Sequence, residues 1–134
     1  MTTRVTGTTV TASFDEQTYD EIETGAKLTR AHVAVTFHGG IDGTSTQDYL
    51  MAYDHHGASS FVGLERVNGT VAGRHGTFVL QHHGTAQHGR LQATWFVVSG
   101  SGTGELDRLR GTGAYEWDPD QEHTTTYTFE YDLD

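Results

Sequence analysis

The sequence predicts an all-β protein: one β-barrel domain over residues 1–134, closed by eight antiparallel strands in meander order. The chain has 17 glycines, one proline and many threonines. β-Branched threonine suits a pleated strand, and glycine supplies the positive φ of tight turns. No window of useful length shows a helical period of apolar residues. Short connections join antiparallel neighbours, and eight strands suffice to close a small barrel. A two-sheet sandwich is the alternative.

Seven turn clusters separate the predicted strands. In order they are residues 24–27, 39–43, 54–58, 72–76, 86–90, 100–113 and 118–121. One further dipeptide, Asn68-Gly69, is itself a strong hairpin signal. We interpret it as a bulge or twist point, because the later turn at 72–76 then leaves "SSFVGLERVNGTV" as one long strand.

The glycine-rich stretch "GSGTGELDRLRGTG" at residues 100–113 looks at first like a phosphate loop. Such a loop needs a strand before it and a helix after it, so that backbone amides converge on the anion. Only "ELDRLR" separates Gly104 from Gly111, which is less than two helical turns. We therefore interpret the stretch as a closure of the barrel, in which one helical turn points Leu106 and Leu109 at the barrel end.

Alternation along the strands predicts which side chains face the interior. Val33, Val35 and Phe37 alternate with polar residues, and so do the aromatic residues of the last strand. If the turns have the assigned lengths, antiparallel pairing carries this face through the middle strands. The predicted interior of the middle and last strands then comprises Tyr49, Met51, Tyr53, Phe61, Glu65, Val79, Gln81, His83, Trp95, Tyr127, Phe129 and Tyr131.

The predicted site is this interior. Glu65 and His83 are the candidate catalytic residues, because a carboxylate or imidazole among aromatic rings can serve as a general acid or base. The candidate ligand-binding residues are Tyr49, Tyr53, Gln81, Trp95 and Tyr127. The alternatives stay open: Glu65 can be a structural carboxylate within the wall, and the aromatic rings can simply fill a small barrel.

The sequence predicts no metal and no cofactor. There are nine histidines, but those on one strand face are too far apart for a shared ion, and adjacent pairs such as His82-His83 point to opposite faces. A site assembled across strands remains an alternative. No serine has the context of a nucleophile elbow.

Charge and hydropathy limit the partners. The net charge is −10 with eight Lys and Arg residues, which argues against nucleic acid, and no apolar stretch predicts a membrane span or a signal peptide. We therefore expect a cytoplasmic protein, and the lack of cysteine is compatible with a reducing compartment. Apolar residues also recur on the predicted outer face of strands four to six: Val62, Leu64, Phe78, Leu80, Phe96 and Val98. A contiguous outer patch of this kind predicts a homo-oligomer.

Three segments, "LTRAHVAVTFHGGIDGTSTQDYLMAY", "FVGLERVNGTVAGRHGTFVLQHHGT" and "SGSGTGELDRLRGTGAYEWD", resemble the small bacterial proteins of domain of unknown function 3224, over residues 14–133. That family is similar in fold to allene oxide cyclase and the dirigent proteins, so the resemblance implies the barrel rather than the sandwich. Distant relatives with this barrel hold apolar molecules in its cavity.

Three functional hypotheses follow from the predicted interior. The first is a binding module for a small hydrophobic or aromatic metabolite. The second is a cofactor-free isomerase or cyclase that uses an interior carboxylate or histidine. The third is a packed barrel that serves only as an oligomeric interaction unit.

Overall fold

The chain is a closed antiparallel barrel of eight strands, in which each strand pairs with its sequence neighbours and the last returns to the first. A computed structural model describes residues 2–22 and 25–134. The strands are β1 (Thr3–Glu21), β2 (Lys27–Gly39), β3 (Ile41–Tyr53), β4 (Ser59–Val71), β5 (Arg74–Gln87), β6 (Arg90–Val97), β7 (Arg110–Trp117) and β8 (Thr124–Asp132). The predicted fold class is confirmed.

The turns overlap the predicted clusters, but those at 72–73 and 88–89 are tighter than predicted, and the connections at 98–109 and 118–123 extend beyond the predicted bounds. Of the first cluster, Thr24 lies outside the described residues. Asn68-Gly69 lies inside β4, as interpreted from the sequence, but it is not a bulge, because pairing with β3 and with β5 continues through it without a register shift. No helix in residues 2–22 or 25–134 is long and apolar enough to cross a membrane.

The register of β5 differs from the prediction. The predicted five-residue turns would keep odd residues opposite odd ones. Instead the turns before and after β5 contain two residues each, so that Val71 pairs with Arg74 and Gln87 pairs with Arg90. Each two-residue turn exchanges odd for even positions, and a one-residue shift reverses the faces of a strand.

The reversal is confined to β5, because the second turn cancels the first. Phe78, Leu80 and His82 are therefore buried inside the barrel, whereas Gln81 and His83 are exposed on its outside. Val79, which was also predicted to face inward, is half-buried on the outer face. On β6 the parity is restored, so Trp95 faces the interior as predicted.

The predicted outer patch is correspondingly altered. Phe78 and Leu80 do not belong to it, because both are fully buried in the core. Val98 lies just beyond β6, half-buried, with its N–H bonded to the Val79 carbonyl. The large apolar residues that are exposed on strands β3, β4 and β6 are Leu50 (48%), Val62 (54%), Leu64 (53%) and Phe96 (45%).

The glycine-rich segment closes one end of the barrel, as predicted. It forms a short 3-10 turn at Gly104–Leu106, and both Leu106 and Leu109 are buried against the core. The segment packs directly on β5: a methyl group at Gly76 would collide with the Thr103 carbonyl. The two hydroxyls of Thr77 and Thr103 lie 2.6 Å apart, and the Thr103 N–H donates to the Thr77 carbonyl. We call this the closed end.

The opposite end is open and asymmetric. Pairing of β1 with β8 ends at Val10 and Thr124, but β1 continues to Glu21 along β2. A bulge between Thr11 and Ser13 changes which residues face inward. Beyond it, Phe14 borders the interior although 56% of it is exposed. Residues 13–21 therefore extend beyond the rim of the barrel and pair only with β2; we call this segment the β1 arm.

Candidate functional site

The barrel interior contains a cavity of about 460 Å³ that opens at the open end. Its mouth is formed by Phe14, Leu91 and Trp117 together with the turn between β7 and β8. Most of the side chains that line it are aliphatic or aromatic. They include Val33, Val35, Phe37, Tyr49, Met51, Phe61, Trp95, Tyr115 and Tyr127. The cavity is thus an apolar space with access from one side.

Three aromatic rings form the part of the cavity nearest the closed end. Trp95 lies 6.2 Å from Phe37 and 5.5 Å from Tyr127, measured between ring centroids. The Trp95 ring fits because Gly113 on β7 has no side chain, since a methyl group there would collide with Trp95 Nε1. Among the described residues, Trp95 Nε1 is the one buried side-chain nitrogen or oxygen without a hydrogen-bond partner.

The Tyr127 hydroxyl serves the fold. It accepts the Ile41 N–H at 2.9 Å and lies 3.1 Å from the His38 carbonyl, which ties β8 to the β2–β3 turn. Burial raises the pKa of Tyr127 to about 12, so the hydroxyl stays protonated at neutral pH. Tyr127 therefore offers its ring to the cavity, while its hydroxyl is occupied.

A polar cluster lies on the β3–β5 wall around Glu65, which is completely buried. Its Oε1 is 2.7 Å from His82 Nε2. Its Oε2 accepts hydrogen bonds from Ser45 Oγ at 2.5 Å and Gln47 Nε2 at 2.8 Å. When Glu65 is ionised it can only accept hydrogen bonds, and all three neighbours then direct their hydrogens at it. Such bonds satisfy a carboxyl group that would otherwise be costly to bury.

The cluster extends into the cavity through His82. Its Nδ1 lies 3.0 Å from the Tyr115 hydroxyl, and that hydroxyl lies 3.4 Å from the Tyr49 hydroxyl. With the Nε2 proton directed at Glu65, a neutral imidazole leaves Nδ1 as an acceptor, so the Tyr115 hydroxyl donates to it. Glu65, His82, Tyr115 and Tyr49 thus form one hydrogen-bonded row that ends at the cavity surface.

Both tyrosines of this row keep their protons at neutral pH. Burial raises the pKa of Tyr49 well above its ordinary value, and the nearby Tyr115 and Glu65 raise it further. Burial also raises the pKa of Tyr115. The cavity surface therefore presents two neutral hydroxyls backed by a buried imidazole and carboxylate.

The structure brings some of the predicted site residues together and separates others. Tyr49, Trp95 and Tyr127 line the cavity, and Glu65 lies directly behind its wall. Gln81 and His83 do not, because the reversed register of β5 puts them outside. His83 contacts Thr94 there, with Nδ1 and Oγ1 3.0 Å apart. Tyr53 is also absent from the cavity lining, because it lies near the end of β3 and donates to Glu16 at 2.6 Å.

Two site residues were missed by the sequence prediction. His82 occupies the interior position that was predicted for His83. Recognition of a two-residue turn on either side of β5 would have predicted His82 instead. Tyr115 lies on the inward face of β7 with Gly111, Gly113 and Trp117, and because two of these four residues are glycine, only Tyr115 and Trp117 indicate that face in the sequence. In residues 2–22 and 25–134, no group of three or more histidines and carboxylates could hold a metal ion.

Comparison with known proteins identifies the family. A family model described as "Protein of unknown function (DUF3224)" matches residues 5–131, so the chain belongs to this family, as the sequence predicted. It is similar to the crystal structure of a DUF3224 protein of unknown function from Shewanella oneidensis MR-1. The TM-score is 0.78 and the identity 30%, over 100% of this chain and 99% of that one. No curated protein matches. The similarity to allene oxide cyclase and dirigent proteins stays a prediction.

Proposed function

We propose that this member of the DUF3224 family binds a small, largely apolar molecule in the barrel cavity. The observation that carries the proposal is an open cavity of about 460 Å³ lined mainly by aliphatic and aromatic groups. Small-molecule sites span roughly 300–1,000 Å³ and are typically apolar with a few polar groups. The row from Glu65 to Tyr49 supplies such groups on one wall.

The rigidity of the lining supports binding. Phe37, Trp95 and Tyr127 contact one another, and the Tyr127 hydroxyl is held by backbone groups. Side chains that are fixed before a ligand arrives lose little entropy when it binds. This arrangement favours a binding module over a packed barrel that serves only for assembly.

The hydrocarbon tetralin, a bicyclic molecule without polar atoms, tests the proposal. We expect calorimetric titration to show binding by wild-type protein and at least a tenfold loss of affinity in Val33→Phe, because the new ring occupies the cavity. The matched control is Val62→Phe, which places the same ring on the exposed outer face and leaves affinity unchanged. Absence of binding by both tetralin and the saturated decalin would contradict the proposal.

A second function, cofactor-free proton transfer, is favoured by the contacts of His82 with Glu65 and Tyr115. In this scheme Tyr115 Oη takes a proton from a carbon next to a ligand carbonyl as its own proton moves to His82 Nδ1. The products are an enolate, a neutral tyrosine and an imidazolium paired with Glu65. The reverse transfer returns a proton to the carbon, so the tyrosine never has to persist as a phenolate.

Exchange of the α-protons of β-tetralone in heavy water, followed by NMR, tests this second function. We expect wild-type protein to accelerate exchange and Tyr115→Phe to lose a hundredfold or more of that acceleration. His83→Phe is the control, because His83 lies outside the barrel. Equal rates for the wild type and Tyr115→Phe would leave binding as the function.

The other expectations from the sequence stay predictions. Association into a homo-oligomer would now involve Leu50, Val62, Leu64 and Phe96, because these are the exposed apolar residues of β3, β4 and β6. The cytoplasmic location also stays a prediction.

A further inference from the structure

We propose that the ligand of this cavity carries a hydroxyl group, which bridges the hydroxyls of Tyr49 and Tyr115. This inference rests on the proposed binding function and adds the chemical class of the ligand. It is carried by the hydrogen-bonding capacity that the row from Glu65 to Tyr49 leaves unused at the cavity surface.

Tyr115 presents an acceptor to the cavity. With Glu65 ionised and His82 neutral, His82 Nε2 donates to the Glu65 carboxylate, so the single hydrogen of Tyr115 is directed at His82 Nδ1. The oxygen of Tyr115 keeps its lone pairs, and the nearest polar group facing them is the Tyr49 hydroxyl at 3.4 Å. A ligand that offers a donor at this point can satisfy Tyr115.

Tyr49 presents an unused donor beside it. Among the described residues, the Tyr115 hydroxyl is the hydrogen-bond partner of the Tyr49 hydroxyl, and their separation of 3.4 Å is long. Hydroxyl hydrogen bonds are usually about 2.7–2.8 Å between oxygens. The ring of Tyr49 cannot readily shift to shorten this distance, because it packs edge-on against Phe61 and His82 and fills the space above Gly63. The hydrogen of Tyr49 is therefore poorly used by its contact with Tyr115.

A ligand hydroxyl satisfies both tyrosines at once. An oxygen about 2.8 Å from each would lie at the apex of a triangle on the cavity side of the two hydroxyls. It accepts from Tyr49 and donates to Tyr115, which continues the row of donors toward His82 and Glu65. Aligned donors of this kind polarise one another and strengthen the row.

The donor and acceptor pattern predicts an order of affinities. A ketone or ether accepts from Tyr49 but leaves the acceptor of Tyr115 unused, and a hydrocarbon makes neither bond. A hydroxyl compound should therefore bind about tenfold more tightly than the matching ketone or ether, and those more tightly than the hydrocarbon.

A series of compounds with one bicyclic skeleton tests this order by calorimetry: tetralin, β-methoxytetralin, β-tetralone and the two separate enantiomers of β-tetralol. In wild-type protein we expect one enantiomer of the alcohol to bind best, about tenfold ahead of the ketone and ether. In Tyr49→Phe and Tyr115→Phe that advantage should fall to within twofold while tetralin affinity is kept. Tyr53→Phe is the control, because its hydroxyl bonds to Glu16 outside the cavity lining.

The outcomes separate this inference from the function on which it rests. If tetralin binds and neither alcohol enantiomer binds better than the ketone, the hydroxyl inference is overturned while the binding function stands. If no compound binds, both are overturned. Should a tyrosine variant fail to fold, as judged by circular dichroism, the wild-type series alone decides.

Discussion

The two ends of the barrel use apolar side chains in opposite ways. At the closed end Leu106 and Leu109 are buried under a glycine-rich segment that packs on β5 without space for a side chain at Gly76. At the open end Phe14 is more than half exposed and borders a cavity. Burial at one end stabilises the fold, whereas exposure at the other leaves apolar surface for a ligand to cover. Changes at the two ends should therefore affect different properties.

Leu106→Ala should have the largest effect on stability. Removal of a fully buried leucine side chain leaves a cavity and costs about 2–5 kcal/mol in the free energy of unfolding. Tetralin affinity should change less than twofold, because Leu106 does not line the cavity. Urea unfolding and calorimetric titration measure the two quantities.

The matched change at the open end is Leu91→Ala, at a half-buried residue that lines the cavity. We expect a smaller loss of stability than in Leu106→Ala and a several-fold loss of tetralin affinity. If Leu106→Ala weakened binding more than Leu91→Ala did, the division of roles between the ends would be wrong.

Two carboxylates, Glu65 in the barrel wall and Glu16 near the mouth, differ in how deeply they are buried. Glu65→Gln should cost about 1–3 kcal/mol, because three donors converge on this completely buried group. Glu16→Gln should cost less, since Glu16 is only partly buried and accepts from Thr29 and Tyr53 near the mouth. Urea unfolding of both variants at neutral pH compares them, and equal costs would contradict the expected role of burial.

Alkaline pH should also distinguish the two regions. Burial raises the pKa of Tyr127, at the closed end, and of Tyr53, at the open end, to about 12 from an ordinary value of 10.0. The folded chain therefore keeps protons that the unfolded chain releases. The resulting stability is complete below a pH of about 10 and is lost as the pH rises toward 12.

Melting temperatures measured across this pH range should decline less steeply in Tyr127→Phe than in wild type. Tyr53→Phe should change the slope less, since Tyr53 is more exposed and its interactions are better screened by solvent. A slope in Tyr127→Phe that matched wild type would show that this tyrosine does not titrate with unfolding.

The smallest effect is expected at His83. Its side chain lies on the exposed outer face of β5, so His83→Ala should change the free energy of unfolding by less than about 0.5 kcal/mol. The adjacent His82→Ala should be clearly destabilising, since it removes the buried partner of Glu65. Urea unfolding of the pair checks the register of β5 directly.

The sequence predicted the strands, the closed end and the faces of most strands because alternation and glycine clusters are local signals. It failed at β5 because the face of a strand depends on whether the preceding turn has an odd or even number of residues. The strongest hairpin dipeptide, Asn68-Gly69, lies within a strand. The actual turns begin with Ala72 and His88, at φ of 53° each, and neither Ala-Gly nor His-Gly is one of the dipeptides that usually indicate a two-residue hairpin turn.

The wrong face of β5 also made part of the predicted site wrong. Glu65, Tyr49 and Trp95 were found because their strands were assigned correctly, whereas His82 was replaced by its neighbour His83. Tyr115 was not named, because a strand with glycine at Gly111 and Gly113 shows few side chains from which to infer a face. The contacts among these groups join strands far apart in the chain, and no local pattern encodes them.

The β1 arm, residues 13–21, exposes a strand edge that could promote aggregation. Beyond Thr11, the described residues of this arm pair with β2 on one side and have no strand partner on the other. Exposed strand edges invite other chains to add to the sheet and form aggregates. This edge carries Asp15, Glu16, Asp20 and Glu21 and is interrupted by two bulges, in a protein of net charge −10. Repulsion between like charges and the irregular backbone both disfavour the addition of another strand at this edge. The chain can therefore keep an open cavity mouth without polymerising through it.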